Sequence, residues 1–357
     1  MTLIIAEAGV NHNGNEGIAL QLIDAAYAAG ADVVKFQTFR AKKLVTEQAL
    51  QADYQVANTG KKESQLAMLS RLELSFGSHH ELVARCKKLG IEFLSTAFDS
   101  ESLEFLVNDL GLTRLKIPSG EITNAPLVLE HARTGCDLIV STGMATLADI
   151  EAVLGVIAFG YTAEKNNTPS IEAFQAAYLS DEGKASLKQK VTLLHCTTEY
   201  PAAPEDINLR AMDAMAAAFG LAVGYSDHSE GISVPVAAVA RGACLIEKHF
   251  TLDKNMDGPD HKASLDPSEL ISMIQAIRDV EFALGDGIKG PRPSEINNKT
   301  IARKSIVAAR DIAIGAVFCE LDLSVKRPGL GDSPFTYWSL QSKTASRSYK
   351  EGDLIHE

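Results

Sequence analysis

Residues 3–38 read LIIAEAGVNHNGNEGIALQLIDAAYAAGADVVKFQT. Two short apolar runs, LIIAEAG (3–9) and DVVKFQT (32–38), flank GIALQLIDAAYAAGA (17–31), which is amphipathic at a helical period and ends in Gly30. Short runs rich in Val, Ile and Leu mark strands buried on both faces. A helix between two of them is the strand–helix–strand unit of a parallel sheet. The pattern continues outward with strand candidates EFLSTAF (92–98), RLKIPS (114–119), DLIVST (137–142), VTLLHCT (191–197), LAVGYSD (221–227) and ACLIEKH (243–249). Helical stretches lie between them. HHELVARCKKLG (79–90) ends in Gly90, and DPSELISMIQAIRDVEFALG (266–285) opens on an Asp–Pro start pair and stops at Gly285. Eight strand–helix units predict a closed α/β barrel, a (β/α)₈ TIM barrel of about 250 residues.

Further punctuation sets the domains. The barrel is expected over 1–285, a Gly-, Pro- and Asn-rich linker over 286–299, and a small unit over 300–357. That last piece is too short to bury much core alone, so it is expected to dock on a barrel. Residues 39–64 are polar and are expected to shape the barrel mouth. Residues 159–190 lengthen the opposite, N-terminal face and are given no catalytic role.

Composition narrows the classes. The chain has 357 residues, 46% hydrophobic and 22% charged, an ordinary globular balance. No apolar run reaches membrane-spanning length, and the start MTLIIAEAG lacks a signal-peptide pattern. The five cysteines are scattered without CxxC, which argues against a disulfide framework and for a cytoplasmic enzyme. A net charge of −12 disfavours nucleic-acid binding and means that any anion pocket gathers its positive charge locally.

In such barrels the chemistry sits at the C-terminal ends of the strands. Glu7, Lys35, Gln37, Thr96, Lys116, Ser119, Glu121, Ser141, Thr198, Tyr200, His228, Glu247, His249 and Asp260 all fall there. A lysine in an apolar strand is costly unless it is paired or bound to an anion. Lys35 and Lys116, with Thr96, Ser119 and Ser141 on the same rim, read as a phosphate or carboxylate cradle; a structural ion pair is the alternative. His228 and His249 end consecutive strands, which lie about 4.8 Å apart, so their imidazoles can share one divalent metal; hydrogen-bonding histidines are the bland reading. His195 is left open as a core or rim histidine. His79, His80 and His131 are expected on solvated helix faces, His12 in a turn, and the cysteines in the core.

These residues carry a resemblance. AEAGVNHNG (6–14), VVKFQT (33–38), FLSTAFD (93–99), KIPSGE (116–121), STGMAT (141–146), LLHCTTEYP (193–201), GYSDHS (224–229), IEKHFT (246–251), GPDH (258–261) and VKRPG (325–329) together resemble the bacterial N-acetylneuraminate (sialic acid) synthases. The tail is similar to their antifreeze-like, or SAF, domain. The resemblance implies a metal-dependent condensation of phosphoenolpyruvate with N-acetylmannosamine. It implies a divalent metal, usually Mn²⁺, on His228 and His249, and phosphoenolpyruvate on Lys35, Thr96, Lys116, Ser119 and Ser141. Thr198 falls where some relatives carry a phosphate-contacting Asn. The sugar is implied on Gln37, Tyr200 and Asp260, with Arg327 reaching in from the partner's tail in a domain-swapped homodimer. Glu7 matches a carboxylate near the metal-bound water, and Glu121 and Glu247 match further family acids. Ala97, Leu330 and Ser342 depart from the family pattern.

Three alternatives stand beside this. Legionaminate and pseudaminate synthases share most of the motifs and take a 2,4-diacetamido sugar. A metal-dependent hydrolase on the same barrel would carry an HxH pair on its first strand, which Asn11-His12 does not supply. A catalytically silent sugar-binding module is opposed by the cluster of strand-end charges.

Overall fold

The computed structural model describes residues 1–357. Eight parallel strands close into a barrel in chain order: β1 (Leu3–Gly9), β2 (Val33–Thr38), β3 (Glu92–Ala97), β4 (Arg114–Ile117), β5 (Asp137–Ser141), β6 (Val191–His195), β7 (Ala222–Asp227) and β8 (Leu245–His249). All eight predicted strands are present, several trimmed at one end. β4 stops before Pro118, which has no N–H to offer a ladder.

The helices start and stop where their caps dictate. Asn15 Oδ1 accepts from the Ile18 N–H at 3.0 Å to open Glu16–Ala29, and Gly30 closes it at φ 84°. Asp266 and Glu269 cap each other's backbone, both at 2.9 Å, ahead of Pro267–Leu284.

The interior of the barrel is layered. Ile5, Val33, Leu94, Ile139, Leu194 and Leu245 form one apolar cluster. Side chains alternate along a strand, so the residue two positions further on also faces inward. Those residues are Glu7, Lys35, Thr96, Ser141, Cys196 and Glu247. An apolar plug thus carries a polar floor at the catalytic end. Gly224 on β7 leaves room for the plug, because a Cβ there would lie 2.6 Å from the Leu245 carbonyl oxygen and 2.7 Å from Leu194 Cδ2.

Residues 39–64 fold into short helices, Ala41–Leu44 and Asp53–Thr59, followed by Gln65–Leu72. Phe39, Ala41, Met68 and Leu72 bury there with Val10. Residues 159–190 complete the helix Leu147–Thr162 and add Ile171–Leu179 and Asp181–Lys190. Phe174 packs on that first helix, 5.3 Å from Phe159 between ring centroids.

His79 and His131 are buried rather than solvated; only His80 is exposed. The reason is periodicity, since His79 shares one helical face with Leu82, Val83 and Cys86. Its Nδ1 bonds the Ser75 carbonyl at 2.8 Å and its Nε2 pairs with Thr38 Oγ1 at 2.9 Å. His12 is also buried, and its Nδ1 accepts from the Gly14 N–H at 3.0 Å. Burial, with repulsion from His79, holds His12 down to about 3; burial also holds His79 and His131 below the usual histidine range. Unfolded histidines ionise near 6.5, so below that pH the unfolded chain takes up protons that the folded chain refuses. Stability is therefore expected to fall as pH drops below about 6.5, by about 1.4 kcal/mol per pH unit for each histidine that stays neutral. Urea titrations at pH 7.5 and 5.0 measure this. His131→Leu should flatten the difference, and an identical pH slope in the variant would reject the assignment.

Residues Asp286–Glu357 form a second compact unit, separate from Met1–Gly285. Within it β9 (Ser305–Ala308) pairs antiparallel with β10 (Leu323–Lys326). Its own core includes Ile306, Ile312, Phe318, Leu340, Tyr349 and Ile355, more than its length led us to expect. The stretch 286–299, read as a linker, belongs to this unit and is structured: Arg292 grips Asp286 at 2.6 and 2.9 Å, and a helix covers Ile296–Ala302. No helix of the chain is long and apolar enough to cross a membrane.

Candidate active site

The polar floor is an ion network. The Lys35 ammonium contacts the Glu7 carboxylate, lies 3.5 Å from Glu247 Oε2, and donates to Thr96 Oγ1 at 3.2 Å. Lys116 Nζ lies 3.4 Å from Glu247 Oε1, which also accepts from Ser226 Oγ at 2.8 Å. All four charged groups are buried. Strand register produces this arrangement, pairing Glu7 with Lys35, Thr96 with Lys116, and Ser226 with Glu247. The lysines are ion-paired in the structure: two lysines balanced by two glutamates, with hydroxyls around them.

The two carboxylates differ. Burial pushes Glu7 up to about 7 against the pull of Lys35, and repulsion from Glu247 adds to the rise. Burial pushes Glu247 up as well, but Lys116, Lys35 and the Ser226 hydroxyl outweigh it and hold it at about 2. Environments that separate two neighbouring carboxyls in this way suit one to proton transfer and the other to fixed charge.

Beside the lysines lies a hydroxyl pocket. Ser119 Oγ accepts from the Gly143 N–H at 3.0 Å and sits 3.1 Å from Cys196 Sγ. A Cβ on Gly143 would fall 2.3 Å from Thr198 Oγ1 and 2.7 Å from Ser119 Oγ, so only glycine lets these groups converge. Thr198 Oγ1 is buried without a protein partner. Ser141 is buried on the same interior face of β5.

His228 and His249 stand 5.7 Å apart between ring centroids. Burial keeps both neutral, His228 at about 4 and His249 well below the ordinary value. The His228 Nδ1–H donates to the Thr197 carbonyl at 2.6 Å, which leaves its Nε2 lone pair free. His249 Nδ1 is buried with no partner. Gly9 has φ 51°, and a Cβ there would lie 3.2 Å from both His249 Nδ1 and Glu7 Oε1. Two neutral imidazoles, one with an orphaned nitrogen, fit a divalent cation. No set of three or more His, Cys, Asp or Glu side chains surrounds such a position, so water and substrate would complete the shell.

An aromatic wall closes the site. Tyr200 lies 4.1 Å from His228, 5.7 Å from His249 and 5.1 Å from Tyr54 between centroids. Asn58 Nδ2 donates to the Pro259 carbonyl at 2.7 Å, next to buried Asp260. Burial raises Asp260 to about 6.

The chain matches the NeuB family model over residues 22–289. The chain belongs to the NeuB family. The N,N'-diacetyllegionaminic acid synthase of Campylobacter jejuni is 49% identical over 356 residues, covering 100% of this chain and 99% of that protein. The enzyme of the same name from Legionella pneumophila is 45% identical, covering 99% of this chain and 92% of that one. The crystal structure of N-acetylneuraminic acid (sialic acid) synthetase from Leptospira borgpetersenii superposes with a TM-score of 0.67 at 31% identity, covering 83% of this chain and 90% of that one.

Within this NeuB-family barrel most of the predicted site residues lie together. Gln37 sits on the interior face of β2, opposite Thr96. Glu121 is turned to another task, accepting at 2.6 Å from Asn124 Nδ2, the residue that caps the helix Ala125–Arg133. No hydrogen bond or ion pair joins Glu121 to the lysines. His195 bonds the Ile207 carbonyl at 2.6 Å, a rim histidine with a structural partner. Arg327 lies in the second unit, exposed after β10. Sequence reasoning missed Ser226, which two-residue spacing from His228 could have flagged. It also missed Tyr54, which lies in the short helix Asp53–Thr59 inside a polar stretch, and the buried Lys248.

Proposed function

We propose that this NeuB-family enzyme condenses phosphoenolpyruvate with a 2,4-diacetamido sugar and water to give a nine-carbon keto acid of the legionaminate type and phosphate. The observation that carries the condensation is the balanced Lys35–Lys116–Glu7–Glu247 floor beside two neutral imidazoles. The sugar class follows the full-length similarity to two diacetyllegionaminic acid synthases; the sequence motifs alone had put N-acetylmannosamine first.

Lys35 and Lys116 would hold the anionic substrate, with the hydroxyls of Ser119, Ser141, Thr96 and Thr198 donating to its oxygens. The methylene carbon of phosphoenolpyruvate bonds to the aldehyde carbon of the open-chain sugar as the C=O π bond opens, and the resulting alkoxide takes up a proton to become a hydroxyl. Water then adds to the cationic C2, and phosphate leaves from the tetrahedral centre, restoring the ketone. Glu7 would stabilise that cation and take a proton from the incoming water. A divalent cation on His228 and His249, Mn²⁺ by family resemblance, would supply Lewis-acid polarisation of the aldehyde. Tyr200, Gln37 and Asp260 would orient the sugar and exclude bulk water.

A single assay tests these assignments: metal-free protein, Mn²⁺ added back, phosphate release followed with either sugar. The diacetamido sugar should give a kcat/KM roughly tenfold or more above N-acetylmannosamine, the scale of one extra pocket contact. The reverse preference would return the neuraminate reading. Full turnover without metal would reject the cation, and sugar hydrolysis without phosphoenolpyruvate would reject condensation.

A further inference from the structure

Lys248 is the third lysine inside the barrel wall and takes no part in the floor. It precedes His249 on β8, so its side chain points to the opposite side of the strand. Its ammonium donates to Asp227 Oδ2 at 2.6 Å and also to the Ser229 carbonyl. Both charged side chains are 0% exposed. Asp227 is otherwise saturated: its Oδ1 accepts from Tyr225 OH at 3.1 Å, the Ser229 N–H at 3.1 Å and Ser229 Oγ at 2.8 Å.

The placement matters more than the pair. Asp227 precedes His228 and Ser229 follows it, so one ammonium grips the chain on both sides of His228. The β7–β8 ladder ends at the Asp227–Lys248 register, so His228 hangs beyond the last backbone bond between these strands. Lys248 is covalently next to the second imidazole. We propose that Lys248 and Asp227 are positioning residues that bracket His228 and fix its ring relative to His249. A buried ion pair is weak evidence for stability, because apolar replacements are often neutral. A bracket that orients two ligands is a different demand, of the kind that outer-shell partners meet at metal sites.

This inference rests on the cation reading above, and its test separates the two. Asp227→Asn with Lys248→Met keeps an acceptor for Ser229 and Tyr225 but removes the cross-strand grip. The first measurement needs no metal: the His228 Nδ1–H proton, donated to Thr197, should be visible by NMR in the wild type and exchange away in the double variant. The second is Mn²⁺ affinity by calorimetry, expected to fall about 10–100-fold, the usual effect of losing an outer-shell partner. Ile277→Ala, a core truncation on the helix Pro267–Leu284, should lower thermal stability while leaving both readouts unchanged. A double variant that folds and keeps the His228 proton overturns the bracket, whatever the metal does. If His249→Ala binds Mn²⁺ as tightly as the wild type, the cation reading fails and the NMR result alone decides the bracket.

Discussion

Glu7→Gln should lower kcat by about 10²- to 10⁴-fold, the range in which positioned acid–base groups contribute. The substitution keeps the shape of the side chain and removes its ability to carry a proton or a charge. Glu7 touches Lys35 and stands where a Cβ on Gly9 would meet both it and His249, so it borders the anion floor and the imidazole pair together. The effect on binding should run the other way. Losing one of two acids leaves the floor with an extra positive charge, so phosphoenolpyruvate should bind as well as before, or more tightly. Single-turnover rates and a direct binding titration separate these effects. If the variant keeps more than a tenth of kcat, Glu7 is only the counter-ion of Lys35.

The barrel was legible because parallel strands covered on both faces are short apolar runs, and each ends at a turn or helix signal. The site was legible because a period of two lifts Glu7, Lys35, Thr96, Ser141 and Glu247 one step above the apolar plug. What the sequence hid was pairing. Lys116 and Lys35 each share Glu247, from the far end of the chain, and spacing in a sequence carries no trace of such a contact. For the same reason the lysines could be read as either a cradle or ion pairs; the structure pairs them with Glu7 and Glu247, and the cradle belongs to the proposed function. His79 and His131 were misread because a histidine on an apolar helix stripe looks polar until its partners, Thr38 and two backbone carbonyls, are in place. Glu121 shares the strand-end position of the other acids, and its carboxylate accepts from Asn124, the cap of the next helix, a contact that spacing does not show. The identity of the sugar has no signature in periodicity at all; the proposal of a diacetamido sugar rests on full-length similarity to two diacetyllegionaminic acid synthases.

Lys116→Ala should weaken phosphoenolpyruvate binding by at least about tenfold, since a charged hydrogen bond is worth about 1.5–3 kcal/mol. Two effects act together. The ammonium that would hold an anionic oxygen is gone, and Glu247, held ionised at about 2 mainly by Lys116 and then Lys35, loses the larger of those partners. Its charge then repels the incoming anion. Pairing the change with Glu247→Gln isolates the second effect. Lys116→Ala with Glu247→Gln removes one charge of each sign, so the floor stays neutral. That double variant should recover part of the lost affinity although it carries one more mutation. Folding is monitored alongside, because breaking one side of a buried pair typically costs about 3–5 kcal/mol, whereas removing both sides costs far less. Sugar affinity should change little in either variant. An unchanged dissociation constant for phosphoenolpyruvate in folded Lys116→Ala would mean that Lys116 serves only to neutralise Glu247, and the anion would have to be held by Lys35 and the hydroxyls around Gly143.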